Sequence, residues 1–137
     1  MLKRTASAHW EGDLKAGKGS ISTQSTALNK TQYSFKTRFE DGVGTNPEEL
    51  LAAAHAGCFT MAVSLGLTQA GFTASALDTH ATVHLEGLDV TGVHLSITGK
   101  VPGISAEKFT EVTKGAEKNC IISKALKVTI TSDAKLI

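Results

Sequence analysis

The chain has 137 residues, the size of one domain that can bury a core without disulfides or metals. Hydrophobic residues make up 41% and charged residues 20%, as in an ordinary soluble protein. The net charge of +1 gives no electrostatic reason to bind nucleic acid or a membrane, and 5% aromatic residues are too few for a base-stacking platform. No apolar stretch follows the N-terminal residues, so we predict no signal peptide and a cytoplasmic protein. Two cysteines in such a chain are more often redox-active or incidental than structural.

The first part of the chain carries strand patterns separated by glycine-rich turns. Residues 5–25 predict a β-hairpin. Residues 32–39 predict a clearer strand, because apolar and basic side chains alternate along it with a two-residue period. Arg38 would end this strand on its polar face, just before the helix that follows.

A helix-start signal comes next. Asn46 can be the N-cap, with Pro47 at the first helical position and Glu49 as the capping-box partner. The register one residue earlier, with Thr45 as cap and Glu48 as its partner, fits the same signal. Both registers begin a helix here.

This helix is predicted to run for about 24 residues, to a left-handed stop at Gly71. Between Leu50 and Leu67 its only polar side chains are those of His55, Thr60 and Ser64. A helix that is apolar nearly all round lies in a core or in a membrane. Its Ala- and Gly-rich composition, its histidine and the lack of flanking basic residues favour a buried core helix over a membrane span.

The remaining residues predict a hairpin over 77–86 and 93–101, an amphipathic helix over 106–119, one or two further helical turns over 121–126, and a strand over 127–133. The order β-β-β, long helix, β-β, helix, β predicts an α+β fold in a single domain, 1–137, with antiparallel sheets packed around the long helix and a second helix. One three-stranded layer cannot cover a helix that is apolar all round, so we predict a homodimer.

Three histidines, His80, His84 and His94, share the polar side of the second hairpin. His80 and His84 are about 13 Å apart along one strand, too far to share an ion, and no third ligand is visible beside His84 and His94. We therefore expect a solvated face, no metal and no cofactor. The chain also lacks a Gly-x-Ser-x-Gly turn and a phosphate-binding Gly-rich loop.

Two cysteines and one arginine remain as candidates. Cys58 lies three turns into the long helix, where the helix dipole cannot activate it, and is either an inert buried thiol or a nucleophile that needs a nearby positive charge. His55, one turn away, is the local candidate for that charge. Arg38 is either a solvated charge or a second candidate, whose guanidinium Glu48 and Glu49 at the helix start could hold by a bidentate pair. Cys120 lies on the apolar stripe of the second helix and would meet Cys58 if the two helices pack together.

The segment Asn46-Pro-Glu-Glu-Leu-Leu-Ala-Ala-Ala-His-Ala-Gly-Cys-Phe59 closely resembles the signature of the OsmC/Ohr family of thiol-dependent hydroperoxide reductases. The opening, Ala8–Ser20, is similar to the OsmC branch in particular. The likeness continues through Gly71-Phe72, Val101-Pro-Gly103 and the second cysteine, and so covers essentially the whole chain.

This resemblance implies an intertwined homodimer with two active sites at the interface, and a peroxidase that acts in stress defence. Cys58 would be the peroxidatic cysteine and Cys120 the resolving one, with Arg38 activating the thiolate and Glu48 orienting Arg38. A hydroperoxide would oxidise Cys58 to a sulfenic acid, a Cys58–Cys120 disulfide would follow, and a lipoyl- or thioredoxin-type dithiol would reopen it. The family often has Pro after the second cysteine, where this chain has Ile121.

Apolar side chains near the motif, Phe39, Phe59 and Met61, are expected to wall the site and to favour organic hydroperoxides over hydrogen peroxide. Two other classes use the same residues. One is a redox-inert dimer that binds a small apolar ligand, and the other is a redox sensor that signals to a partner. No DNA-binding helix pair or basic patch supports a sensor that acts on DNA.

Overall fold

Ten secondary-structure elements follow one another along the chain, and the computed structural model describes all 137 residues. They are β1 (Ala6–Glu11), β2 (Lys18–Thr23), β3 (Thr31–Tyr33), α1 (Phe35–Phe39), α2 (Pro47–Gln69), β4 (Ala76–Glu86), β5 (Asp89–Lys100), α3 (Ala106–Asn119), α4 (Ile121–Ala125) and β6 (Thr129–Leu136). Their internal contacts group them into two units, residues 1–50 and residues 51–137.

The first unit is built on an antiparallel sheet of β1, β2 and β3, in that order. The predicted hairpin is confirmed. Gly19 of β2 pairs with Trp10 on one side and Tyr33 on the other, and the two rings pack edge to face with centroids 5.4 Å apart. A Cβ at Gly19 would lie 2.6 Å from each ring, so this close ring packing needs a glycine between the two strands.

The strand predicted over residues 32–39 is wrong beyond Tyr33. Ser34 starts the short helix α1 with a capping box: its Oγ accepts a hydrogen bond from the Thr37 backbone N–H at 3.2 Å, and Thr37 Oγ1 accepts one from the Ser34 N–H at 2.8 Å. Phe35 and Phe39 then stack one helical turn apart, with ring centroids 5.0 Å apart. The local cap outweighs the alternating pattern, and Arg38 lies on a helix rather than at a strand end.

The start and the end of α2 follow the signals in the sequence. Asn46 Oδ1 accepts the Glu49 backbone N–H at 2.8 Å, which selects the later of the two cap registers. The Glu49 carboxylate does not close a capping box, because it accepts the Thr45 hydroxyl at 2.8 Å instead. After α2 the chain turns at Gly71 with φ +90°, the left-handed stop that was predicted.

Burial along α2 is narrower than its composition predicts. One stripe is buried, with a residue at every fourth position: His55, Phe59, Val63 and Leu67. Met61 is 76% exposed and Leu65 59% exposed. The prediction of a core helix is confirmed along this stripe, and in a single chain one sheet and one helix cover only this side of α2. By length and composition α2 could cross a membrane, but a core helix passes the same test, and the buried stripe belongs to the core of the second unit.

The sheet of the second unit has the order β4-β5-β6. β4 and β5 form the predicted antiparallel hairpin, with a bulge at His84 and Leu85. β6 pairs with β5 in the parallel direction, so the prediction of purely antiparallel sheets is wrong. Two helices, α3 and α4, lie between β5 and β6 in the chain, and a helical crossover of this length allows a strand to return parallel to its neighbour.

Candidate active site

The two cysteines come together inside the second unit. Cys58 lies in the middle of α2 and is half-buried, while Cys120 lies at the junction of α3 and α4 and is 1% exposed. Both are free thiols that pack in the same core cluster, and each is among the groups that shift the pKa of the other. The sequence-based prediction that Cys120 meets Cys58 when the helices pack is confirmed. Two adjacent free thiols can form a disulfide.

The surroundings of the two thiols separate their pKa values. Burial and the hydrogen bond with the Cys120 thiol raise the pKa of Cys58, against a smaller lowering by the backbone N–H of Ile122. Burial also acts to raise the pKa of Cys120, but hydrogen bonds from Cys58 and Ser123 outweigh it, and the pKa of Cys120 is lowered. Because each thiol affects the ionisation of the other, their two protons leave in two steps that belong to the pair. Within residues 51–137, no cation is among the groups that favour a Cys58 thiolate.

His55 is not the activating charge that its position suggested. Its side chain is fully buried, and burial lowers its pKa, so the ring is neutral at pH 7. Its Nε2 lies 2.7 Å from Ser123 Oγ, and its Nδ1 is buried without a hydrogen-bond partner. The ring therefore faces α4 rather than serving as an imidazolium for Cys58.

Ser123 is the residue of this cluster that sequence reasoning missed. It is 8% exposed, its Oγ lies 2.7 Å from His55 Nε2, and it is among the groups that lower the pKa of Cys120. The signal was its spacing: three residues after Cys120 in a segment predicted to be helical puts both side chains on one face. No recognised motif marks it.

Arg38 and Glu48 form the predicted ion pair in the first unit. Arg38 Nε donates to Glu48 Oε1 at 2.6 Å, through a single hydrogen bond rather than the bidentate pair that was expected. The Glu48 side chain is 15% exposed and that of Arg38 45% exposed, and the guanidinium also lies 5.4 Å from the centre of the Phe39 ring. Glu48 thus fixes the direction of the guanidinium and leaves its two terminal nitrogens free of that bond.

The histidines of the second hairpin do not assemble a metal site. His94 Nε2 contacts Asp133 Oδ2 at 2.6 Å and its Nδ1 contacts Thr131 Oγ1 at 2.6 Å, so both ring nitrogens are used within the sheet. Hydrogen bonds from Ser96 and then from His94 lower the pKa of Asp133. No group of three or more His, Cys, Asp or Glu side chains is placed to hold a metal ion.

A groove of about 250 Å³ lies between α2 and α3 in the second unit. Neither cysteine lines this groove. Small and apolar residues dominate its lining, which consists of Ala62, Leu65, Gly66, Gln69, Val112, Gly115, Ala116 and Asn119. Two of the residues expected to wall the peroxide site differ in their exposure within the single chain. Phe59 is fully buried in the core, and Met61 projects into solvent.

The chain is similar to known proteins over nearly its whole length. The family model described as OsmC-like protein matches residues 39–135. Peroxiredoxin OsmC of Escherichia coli (strain K12) and the protein of the same name from Shigella flexneri are each 48% identical to it, covering 98% of this chain and 97% of the relative.

Solved structures share the fold at lower identity. An OsmC-like protein of Vibrio cholerae matches with a TM-score of 0.77 and 16% identity, covering 98% of this chain and 99% of that one. The organic hydroperoxide resistance protein OhrB of Bacillus subtilis matches with a TM-score of 0.71 and 24% identity, covering 97% and 98%. The family model covers most of the chain, and full-length relatives are 48% identical to it. The chain therefore belongs to the OsmC-like family.

Proposed function

We propose that this protein is a thiol-dependent peroxidase that reduces organic hydroperoxides to alcohols. One observation carries the proposal: two free thiols, Cys58 and Cys120, come from separate elements and lie in contact inside the second unit. The full-length relatives at 48% identity are peroxiredoxins, and the chain is accordingly an oxidoreductase with an antioxidant role in the stress response.

The reaction follows from thiol chemistry. The Cys58 thiolate attacks the terminal oxygen of the hydroperoxide, the O–O bond breaks, and the alkoxide leaves and is protonated to the alcohol. Cys58 is now a sulfenic acid. Cys120 attacks its sulfur, a disulfide forms, and water leaves. A dithiol then reduces the disulfide by exchange and returns both thiols.

Arg38 supplies the positive charge that Cys58 needs. Burial and Cys120 both raise the pKa of Cys58, so a neighbouring cation is required to make its thiolate the favoured nucleophile. Arg38 is always charged, and its hydrogen bond to Glu48 holds the guanidinium in one orientation. In this proposal Arg38 stabilises the Cys58 thiolate and the alkoxide that develops as the O–O bond breaks.

A homodimer completes the molecule. On α2 the single chain leaves Met61 and Leu65 largely exposed, and the groove between α2 and α3 is lined by small residues that a second helix can approach closely. We propose that a second copy covers this face, in the intertwined arrangement that the family resemblance implies. Residues 1–137 then form one OsmC-like domain, in agreement with relatives that align over 98% of the chain.

The reductant in this proposal is a dithiol of the lipoyl or thioredoxin type, whose own second thiol resolves the mixed disulfide that forms first. We propose that the protein works in the cytoplasm, where such donors are kept reduced.

The function is tested by supplying the reduced protein with cumene hydroperoxide and dithiothreitol and measuring peroxide consumption. Wild type should turn over, and Cys58→Ser should lose at least about nine-tenths of the rate, since the nucleophile is gone. Ser64→Ala, in the same helix, is the matched control and should keep the rate. Peroxide consumption by wild type that is no faster than with dithiothreitol alone, and is unchanged in Cys58→Ser, would favour the redox-inert ligand binder.

A further inference from the structure

Two buried polar residues accompany the two cysteines, one on each of the two segments that carry the cysteines. On α2, His55 precedes Cys58 by three residues, and beyond α3, Ser123 follows Cys120 by three residues. Residues at this spacing in a helix lie on one face, one turn apart. The two segments therefore meet through two neighbouring contacts: the thiol pair, and the 2.7 Å hydrogen bond between His55 Nε2 and Ser123 Oγ.

A packing role alone does not account for the polar pair. His55 is fully buried and leaves Nδ1 without a partner, which costs free energy that an apolar side chain of similar size would not cost. A hydroxyl, in contrast, can accept one hydrogen bond and donate another. With its proton on Nε2, the neutral ring donates to Ser123 Oγ, and the Ser123 hydroxyl proton is then free to point at Cys120.

Building on the proposed peroxidase function, we propose that His55 and Ser123 are positioning residues for the resolving step. His55 orients the Ser123 hydroxyl, and Ser123 Oγ–H donates to the Cys120 sulfur while that sulfur attacks Cys58. The same hydrogen bond holds Cys120 beside Cys58 before the attack. The geometry that supports this is the His55–Ser123 hydrogen bond, together with the spacing of three residues between each polar residue and its cysteine.

The step balances as follows. Cys120 loses its proton, and its sulfur attacks the sulfur of the Cys58 sulfenic acid. The S–S bond forms as the S–O bond breaks, and the departing hydroxide takes up a proton equivalent to the one Cys120 lost, giving water. The Cys58 sulfur is reduced and the Cys120 sulfur is oxidised. The lowered pKa of Cys120, to which the Ser123 hydroxyl contributes, agrees with a thiolate formed at this position.

The hydrogen bond from Ser123 to Cys120 also acts when the reductant opens the disulfide. Cys58 is half-buried whereas Cys120 is 1% exposed, so the incoming dithiol reaches and attacks Cys58, and the hydrogen bond from Ser123 stabilises the departing Cys120 thiolate. The first mixed disulfide between the protein and its reductant therefore forms at Cys58.

The test separates the two chemical steps in a single turnover. Reduced protein is mixed with one equivalent of cumene hydroperoxide, quenched at intervals in dimedone, and analysed by mass spectrometry for sulfenic acid and disulfide. In Ser123→Ala we expect peroxide consumption at the wild-type rate but disulfide formation slower by about tenfold or more, the effect of one hydrogen bond to a charged group. Ser123→Thr keeps the hydroxyl and should resolve within about threefold of wild type.

His55 is tested in parallel, with a control for the loss of any buried polar group. His55→Gln keeps a donor near the Nε2 position and should resolve faster than His55→Leu. Thr113→Val removes a buried, unpartnered hydroxyl from α3 and should leave both steps unchanged. A pH profile adds a readout that packing does not move: the apparent pKa of disulfide formation should rise in Ser123→Ala and stay unchanged in Thr113→Val. Two ionisable groups face Cys120: the Cys58 thiol directly, and the His55 ring through Ser123.

The outcomes are distinct. Equal resolving rates in wild type and Ser123→Ala, or an equal slowing in Thr113→Val, would overturn the positioning role while leaving the peroxidase intact. If Ser123→Ala does not fold, the contrast between His55→Gln and His55→Leu decides the question, and equal rates in those two variants overturn the proposal. A wild-type protein that never forms a Cys58 sulfenic acid would instead refute the proposed function.

Discussion

Lowering the pH below neutrality should weaken the fold through His55. The side chain is fully buried, and burial lowers its pKa below the ordinary value of 6.5. In the unfolded chain the ring takes up a proton near that pH, whereas the native ring stays neutral. The unfolded state therefore binds more protons, so the contribution of His55 to stability is complete above about pH 6.5 and is lost as the pH falls towards the native pKa.

The size of this loss follows from linkage. If the native ring remains neutral throughout, the free energy of unfolding falls by about 1.4 kcal/mol between about pH 7.5 and about pH 5.5, which is the upper limit for one histidine. Carboxylates titrate mostly below this window. Three of the other four histidines, His9, His80 and His84, are exposed, and His94 faces Asp133.

The assay is urea unfolding of the fully reduced protein, followed by far-ultraviolet circular dichroism at fixed protein concentration across that pH range. His55→Gln is the matched variant, because it keeps a donor towards Ser123 and cannot titrate. Across this pH range, its free energy of unfolding should fall by less than that of wild type, and the difference should be up to the same 1.4 kcal/mol. Parallel pH profiles for the two proteins would refute a neutral buried His55.

Three further predictions concern the site and the helix packing beside it. Arg38→Ala and Arg38→Lys should each lower peroxidase activity by about 100-fold, since an ammonium cannot reproduce the guanidinium fork, with the free energy of unfolding changed by less than about 1 kcal/mol; an unchanged thiolate titration would place the activating charge elsewhere. Cys120→Ser should react once with peroxide, stall as a sulfenic acid and overoxidise in excess peroxide. Sustained turnover of this variant with thioredoxin as the reductant would contradict the resolving role of Cys120. Gly66→Ala should destabilise the protein by about 1–3 kcal/mol, because the added Cβ would lie 2.8 Å from a methyl group of α3. Val112→Ala removes the methyl group that the new Cβ would meet, so Gly66→Ala should cost less in that background in urea unfolding, and an undiminished effect would contradict the packing argument.

Local signals in the sequence predict the ends of the helices well, whereas the pairing of distant strands is predicted less well. The bounds of α2 follow from a cap at Asn46 and a glycine at Gly71, which act within a few residues of the helix ends. The error at residues 34–39 has a local cause too, since a serine cap and an alternating pattern compete there and the pattern was preferred. The parallel pairing of β6 depends on how α3 and α4 return the chain, which no local pattern specifies.

The candidate site divides in the same way. Cys58 and Cys120 were found because thiols are few and the second lies on the apolar stripe of a helix, and the Arg38–Glu48 pair because opposite charges flank the helix start. Ser123 was missed because a serine on a short helix carries no chemical signature until the fold puts it 2.7 Å from a buried histidine. The neutral state of that histidine likewise depends on its burial, which a sequence cannot state residue by residue.

The central claim is that one hydroperoxide molecule converts the two thiols of one chain into a disulfide. Its most direct test is mass spectrometry of the reduced wild-type protein after one equivalent of cumene hydroperoxide, with peptide mapping and a non-reducing denaturing gel. We predict the loss of two hydrogens per chain, a cross-linked peptide joining Cys58 to Cys120, and migration as a monomer. Two free thiols after the peroxide is consumed, or a covalent dimer on the gel, would contradict the account.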